Sequence, residues 1–567
     1  MTVARSQPGG LIAMSRVWGP RSGITPGTPG IHKGPQRGPR RVRASRAPLR
    51  GALACFGGAS RGCRVAPPPA TDAHPDGGAR PWTRLLCVLL ISLPALGRAQ
   101  PQPTPSLESL SDQALQAFSS GDLDAAAEAL EKLIEADPAN FVHHYNLACV
   151  RSVQGDGEAA AELLVQAVER GFTDVGLLRR DPSLAKARET TTIQRLIDNW
   201  PAVLERRIDT DLERAHERYG GRYFYEKEPE LRLAYASAYD EHTLAEVRAE
   251  VRKVHDWAME HVFGGVSDDL AGDEDAWALV VLPTQQHFQQ WAAENYGPAA
   301  RNFDQAIGGH YSHDEKQLVT MDLGATLRHE FMHVLHWRCN TRHGQMHPVW
   351  VQEGLCSLIE DYDIGADGEL IPVESWRTNQ ARFLAETGHL LHLRDLGMIP
   401  RDRFTSSRPL AQYAQSRVLF LFLHREGKLR EWYTHFVEHF REDPSGLASL
   451  EAVFAQELDE IDRRYAEFCR GLPTVPEDVK PGMPSLGVEI DATGTGEGLR
   501  ISAYIRRGEA GDLKQGDIIT HINRRPTRDY WELIRVLTSY EPGDTVTVSY
   551  RRVRLHQQTE VTLKAAE

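Results

Sequence analysis

A chain of 567 residues with 78 acidic and 65 basic side chains carries a net charge of −13, which argues against a nucleic-acid binder. That length predicts about three separate cores rather than one. The charge is uneven: residues 1–80 hold thirteen Arg or Lys and two Asp, leaving the remainder near −24.

The basic head (MTVARSQPGG…RGPRRVRASRAPLR) is Arg, Pro and Gly with few large apolar residues. It cannot bury enough surface to fold and reads as a disordered leader over 1–80. Arg80 and Arg84, the apolar run Leu85–Leu96 and Gly97-Arg98-Ala99 then form a signal-peptide pattern over 81–99. An apolar run this short suits export rather than a membrane span. Cleavage is expected after Ala99, with the native start shortly before Arg84 and a periplasmic or extracellular destination. No other segment is long and apolar enough to cross a bilayer. Of seven cysteines only Cys149, Cys339, Cys356 and Cys469 follow the cleavage point, and none forms a CxxC pair. Core thiols are expected, not a disulfide framework.

Residues 105–175 repeat with a period of about 34. Gly121 matches Gly155, Ala125-Ala126 matches Ala159-Ala160, and Leu130 matches Leu164. The two units resemble tetratricopeptide helix–turn–helix repeats, with GLLRRDPSLAKARETTTIQRLI as a degenerate cap and a module boundary near 200. Two repeats are few for a free-standing solenoid, so the module is expected to lean on its neighbour. Its role is either a peptide groove or a packing spacer.

Between 205 and 475 the pattern mixes strands and helices. LRLAYASAY (231–239) and WALVVLP (277–283) read as strands, HTLAEVRAEVRKVHDWAMEHVF (242–263) as a long amphipathic helix, and HFQQWAAE as part of another. AIGGHYSHDEKQLVTMDL (306–323) reads as a hairpin turning at His313–Lys316. Helical spacing dominates after 363, giving an α+β domain.

The chemistry lies in ATLRHEFMHVLHW (325–337). At about 100° per residue, Leu327, Phe331, Val334 and Leu335 share one helix face. His329, His333 and His336 share the other, beside Glu330. Imidazoles at i and i+4 converge on one metal ion, and the intervening Glu reaches a water bound to it. Two histidines leave the ion a ligand short. An HExxHxxGxxH extension fails, because His336 and Cys339 stand where glycine and the third histidine would be. The alternative is HPVWVQEGLCSLIEDY, whose Val351, Leu355, Leu358, Ile359 and Tyr362 form a buried stripe. Glu353, Ser357 and Glu360 lie opposite, free to face the first helix across the linker RCNTRHGQMH. Gly354 permits close approach. Two imidazoles and one carboxylate are the ligand set of a hydrolytic zinc.

HEFMH with WVQEG twenty residues on resembles the gluzincin metallopeptidases, and more closely the peptidase MA-like domain of exported bacterial proteins. The resemblance implies a zincin-like fold and one zinc held by His329, His333 and Glu353, with the bound water's pKa lowered toward about 7. Glu330 would take the water's proton and return it to the leaving amine. A tyrosine from a later helix stabilises the oxyanion in such enzymes. Tyr413, in RPLAQYAQSRVLFLFL, either does so here or simply packs, and His343 and His347 are loop rivals. Gly309-His310-Tyr311 would run along the cleft and pair with an extended substrate. His336 is expected on the helix surface near the cleft. Glu360 either orients a ligand histidine or is a solvated charge.

Residues 480–567 resemble a PDZ domain of the bacterial protease type. Leu486-Gly487-Val488 stand at the loop that captures a peptide's terminal carboxylate. Gly516-Asp517-Ile518-Ile519 and Ile522-Asn523 match the strand pair that follows, with Arg524 where glycine is usual. The whole therefore reads as a multidomain exported zinc peptidase: helical repeat hairpins, an α+β zincin-like domain and a small β-rich PDZ domain. The expected partners are peptide or protein substrates and protein C-terminal tails. No acidic anchor for a free N-terminus is recognisable, which favours an endopeptidase. The rival reading is an inactive peptidase-like scaffold that binds peptide tails, against which the intact Glu330 argues.

Overall fold

The computed structural model describes residues 106–566, apart from 267–274, 297–308, 313–315, 344, 367, 492–495 and 505–509. The leader, the signal segment with its cleavage point, and the hairpin tip at 313–315 lie outside the described residues.

The chain opens with two helical hairpins, Leu107–Ser120 with Leu123–Ala136, and Phe141–Val153 with Gly157–Glu169. Their punctuation repeats as the sequence does. Ser106 and Asn140 cap the first helix of each hairpin, and Asp122 and Asp156 cap the second, each side chain accepting from a first-turn backbone N–H. Each such cap contributes about 1 kcal/mol. Gly121 and Gly155 turn the corners at φ 81° and 93°, where a Cβ is disfavoured. Short helices over Val175–Asp198 cap the module, and the first of them packs against the helix that carries HEFMH.

The helix Trp200–Tyr219 crosses from the repeats onto a sheet of β1 (Phe224–Glu228), β2 (Leu233–Ser237), β3 (Trp277–Val281), β4 (Gly309–Ser312) and β5 (Gln317–Thr320). Its order is β1-β2-β3-β5-β4, with β2, β3 and β5 parallel and β1 and β4 antiparallel at the edges. The long amphipathic helix runs Glu241–Ala258 and ends in a π-helical turn, Met259–Phe263.

The histidine helix spans Ala325–His343, six residues beyond the predicted segment, so the connection to the next helix is shorter than RCNTRHGQMH. The glutamate helix, Val349–Leu358, stops before Glu360, and Tyr362 belongs to β6 (Tyr362–Ile364), paired with β7 (Leu370–Pro372). The predicted two-faced patterns do not survive. Residues 327–336 and 349–358 are buried throughout except the half-buried Gln352, because further helices cover the polar face. Chief among these is Pro409–Arg425, which carries Tyr413. Gly354 serves this covering helix: a Cβ there would lie 2.6 Å from Cδ2 of Phe420.

After the helix Leu458–Gly471, the PDZ region pairs β8 (Pro484–Ser485) with β15 (Lys564–Ala565). Its main sheet runs β14-β13-β11-β10-β9, made of β9 (Val488–Asp491), β10 (Leu499–Tyr504), β11 (Ile518–Ile522), β13 (Thr545–Arg552) and β14 (Leu555–Thr562). β12 (Arg525–Pro526) also pairs with β11, and the helix Tyr530–Leu537 completes the region. Arg524 still makes its turn, at φ 67° after Asn523 at φ 46°. The hairpin accepts the strain of a non-glycine residue there, on the order of 1 kcal/mol.

Candidate metal centre

The histidine and glutamate helices bring the expected donors together. His329 Nε2 lies 3.5 Å from Glu353 Oε2, and His333 Nε2 lies 3.6 Å from the same oxygen. All three residues are at most 5% exposed. His333 Nε2 and Glu353 Oε2 are both buried, and neither has a hydrogen bond of good geometry. Buried polar atoms are ordinarily satisfied, and two such atoms beside His329 Nε2, with both imidazole nitrogens within 3.6 Å of the Glu353 oxygen, suit a cation.

The surroundings orient these groups. His329 Nδ1 donates to Glu360 Oε1 at 2.8 Å, which leaves Nε2 as its ligand atom. Arg377 holds Glu360 through two hydrogen bonds, at 2.6 and 3.0 Å. Glu360 is therefore a buried orienting group, not a solvated charge. Burial opposes charging His329, but its bonds with Glu353 and Glu360 raise its pKa to about 9. Burial likewise opposes ionising Glu353, yet the two histidines hold its carboxyl well below the usual range. A cage that favours an imidazolium so strongly attracts positive charge.

Two buried arginines fix the turn that presents Glu360. Arg417 donates to the carbonyls of Ser357, Leu358 and Val373. Arg328 donates to those of Ile359 and Glu360, at 3.1 and 2.5 Å. Cations at the carbonyl end of a helix satisfy acceptors that the helix cannot. Nothing in the local sequence announced either arginine.

Glu330 is buried beside the cage, and β4 passes over it. A Cβ on Gly309 would lie 2.9 Å from Cγ of Glu330 and 2.6 Å from Cγ2 of Thr326, so only glycine lets this strand approach so closely. Tyr311 stacks on His333, with centroids 4.4 Å apart and planes 16° apart. β4 is the last strand of its sheet among the described residues. The expected course of Gly309-His310-Tyr311 along the site is therefore seen. Tyr413 also reaches the cage. Burial first, then the charge of Glu353 and a hydrogen bond with it, raise its phenol pKa well above the ordinary value.

Two expectations are corrected. His336 is not a surface residue: it is 1% exposed, and its Nε2 lies 2.8 Å from Nδ1 of His347. Burial and the His333 charge push its pKa down to about 3. His347 is not on an open loop but packs among Tyr433, Phe436 and Phe440. The helix Leu429–Glu438 and the turn after it supply those rings, which no local pattern could reveal. The side chain of His343 lies outside the described residues.

Sequence reasoning missed Cys356. The ligand atoms of His329, His333 and Cys356 lie within 4.8 Å of one another. Its spacing of three from Glu353 was the available signal. Cys149, Cys339 and Cys469 are buried thiols, as expected. Among the described residues one other ligand-rich group, Glu260, His261 and Glu369, stands partly exposed. There His261 Nε2 meets Glu369 Oε1 at 2.6 Å, a hydrogen bond at the surface.

In the PDZ region, Gly487 adopts φ 71° between Leu486 and Val488. Its N–H donates to Ser485 Oγ at 3.2 Å. A groove of about 430 Å³ runs between β9 and the PDZ helix, lined by Leu486, Val488, Leu533 and Leu537.

Comparison with known proteins agrees on this last region. The PDZ domain family matches residues 500–563. No curated protein matches the chain. A solved HtrA-type protease, AlgW with a decapeptide, is similar at 23% identity over 15% of this chain and 30% of its own, with a TM-score of 0.14. The match thus spans less than a third of that protease. A solved aminopeptidase N family protein from Idiomarina loihiensis is similar at 12% identity over 61% of this chain and 67% of its own, with a TM-score of 0.24. At these scores neither likeness defines a fold or an activity for the remainder. The C-terminal region is a PDZ domain.

Proposed function

We propose that the chain is a zinc-dependent peptidase of the gluzincin type, exported and cleaved after Ala99, with the PDZ domain and the tetratricopeptide-like hairpins recruiting substrate or partner tails. The observation that carries this reading is the convergence of His329 Nε2, His333 Nε2 and Glu353 Oε2, buried together at 3.5 and 3.6 Å. One carboxylate and two imidazoles fit zinc by donor type. When bound there, zinc supplies the Lewis acidity that makes water nucleophilic near neutral pH. Glu330, buried beside the cage, would accept a proton from the attacking water and pass it to the departing amine. Tyr413, beside Glu353, donates to the carbonyl oxygen as negative charge develops there. The outer side of β4, the last strand of its sheet among the described residues, pairs with an extended peptide and presents its bond to Glu330. Internal bonds are preferred over terminal ones.

The test is metal content and cleavage of a peptide library in three proteins. Wild type should hold one zinc and cleave. Glu353→Ala should lose the metal, and Glu330→Gln should keep it without cleaving. Unchanged turnover in Glu330→Gln removes the mechanism. The PDZ groove favours a second reading, an inactive scaffold that binds peptide tails. Wild type without metal that still binds peptides with free carboxyl ends would establish it instead.

A further inference from the structure

Three buried guanidiniums around the cage are committed inside the fold, those of Arg328 and Arg377 to carboxylates and that of Arg417 to carbonyls. Arg401 differs. It opens the short helix Arg401–Ser406 and is exposed. Its Nη2 donates to Gln352 Oε1 at 2.6 Å, a neutral partner that does not cancel its charge. Gln352 in turn donates to the carbonyl of His347. It precedes Glu353 and is the one position of Val349–Leu358 that is not buried. Arg401 is therefore anchored where the glutamate helix reaches solvent. A second relationship places it from the other side of the cage. Tyr311, on β4, stacks on His333. Burial raises the phenol's pKa, and the Arg401 guanidinium acts on it in the opposite sense, ahead of Glu353 and Glu330. The guanidinium thus lies close both to β4, where the reading above seats an extended peptide, and to the helix that presents Glu353.

We propose that Arg401 is a specificity-determining residue that binds a carboxylate of the substrate, either an acidic side chain flanking the cleaved bond or the peptide's own end. The proposal rests on the peptidase reading above. A planar guanidinium presents paired N–H donors that match the two oxygens of a carboxylate. Its hydrogen bond to Gln352 restrains the side chain, so less freedom remains to be lost when the carboxylate arrives. Arg401 gives no ligand to the ion, and the water position of the site stays open.

Steady-state cleavage of synthetic peptides by the full chain tests this. Glu, Gln or Lys is placed in turn at the positions flanking the cleaved bond, in peptides with free and with amidated ends. Wild type should favour a Glu peptide over its Gln counterpart, or a free end over an amidated one, by about fivefold in kcat/KM, the upper range for an ion pair screened by solvent. The preference should shrink as salt rises. Arg401→Gln should lose it through KM, with kcat on neutral peptides and zinc content as in wild type. Arg401→Glu should favour Lys instead. A preference for Glu identifies a side chain as the source of the carboxylate, and a preference for the free end identifies the terminus. Wild type that cleaves all these peptides equally, or a preference that survives Arg401→Gln, overturns the assignment and leaves the peptidase reading standing. Wild type that cleaves no peptide overturns both.

Discussion

Arg328, the residue before the first candidate ligand, donates through Nη2 to Oε1 of Glu532 in the PDZ helix at 2.7 Å, with both side chains at most 1% exposed. The same guanidinium reaches Glu250 at 3.0 Å. Around it Arg535 meets Asp361 at 2.8 Å, and Arg528 donates to the carbonyl of Leu323 at 2.8 Å. The PDZ domain is therefore bolted to the back of the histidine helix. Removing one partner of a buried ion pair leaves an uncompensated charge, which costs about 3–5 kcal/mol. Glu532→Ala should destabilise the histidine-helix domain and the PDZ domain together, seen as one shared fall in melting temperature. A fall confined to the PDZ domain would show that the contact carries no load.

Glu360 holds the ring of His329 and is itself held by Arg377. Orienting partners of this sort typically affect metal affinity 10- to 100-fold. Glu360→Gln should weaken zinc binding by that amount in competition with a chromophoric chelator, with helical content unchanged. An unaltered affinity would rule out the orienting role.

Gly309 leaves no room for a side chain over Glu330. Gly309→Ala should displace the carboxylate or the strand, and misplacement of a catalytic group by about 1 Å can cost on the order of 100-fold in rate. Peptide turnover should fall while zinc content holds. Adding Thr326→Ala, which removes the nearer obstacle, should restore part of the rate.

Tyr413→Phe keeps the ring and deletes only the hydroxyl. Loss of an oxyanion donor costs about 10²–10³ in turnover, whereas loss of packing alone would leave turnover near wild type. Steady-state kinetics at saturating zinc separate the two.

Glu250 gives the fold an acid-sensitive joint. Burial works against its ionisation, but Arg328, Arg528 and the Tyr362 hydroxyl outweigh it and hold the carboxyl below the usual range. A depressed folded pKa stabilises the protein above the unfolded value of about 4.3. That stability is lost as pH falls through the lower folded value. Urea midpoints should therefore drop between pH 7 and pH 3. Glu250→Gln should start lower at pH 7 and lose less over the same interval. Parallel curves for the two proteins would remove Glu250 as the cause.

The chain's own spacing determined much of this protein. The 34-residue period sets the hairpins, because caps and corner glycines act within a few residues of one another. The i, i+4 histidines fix two donors on one helix face by helix geometry alone. The acid twenty residues later required only a short connection. What tertiary structure alone decided lies at long range. His336 and His347 are buried by rings from helices about ninety residues further on, and Glu360 becomes an orienting group only because Arg377 and Arg328 fold against it. Arg328 meets a carboxylate 204 residues away. A local pattern records which faces of a helix are apolar. It cannot record which distant segment will cover the polar face, since that depends on burial and ion pairing among segments the chain brings together only on folding.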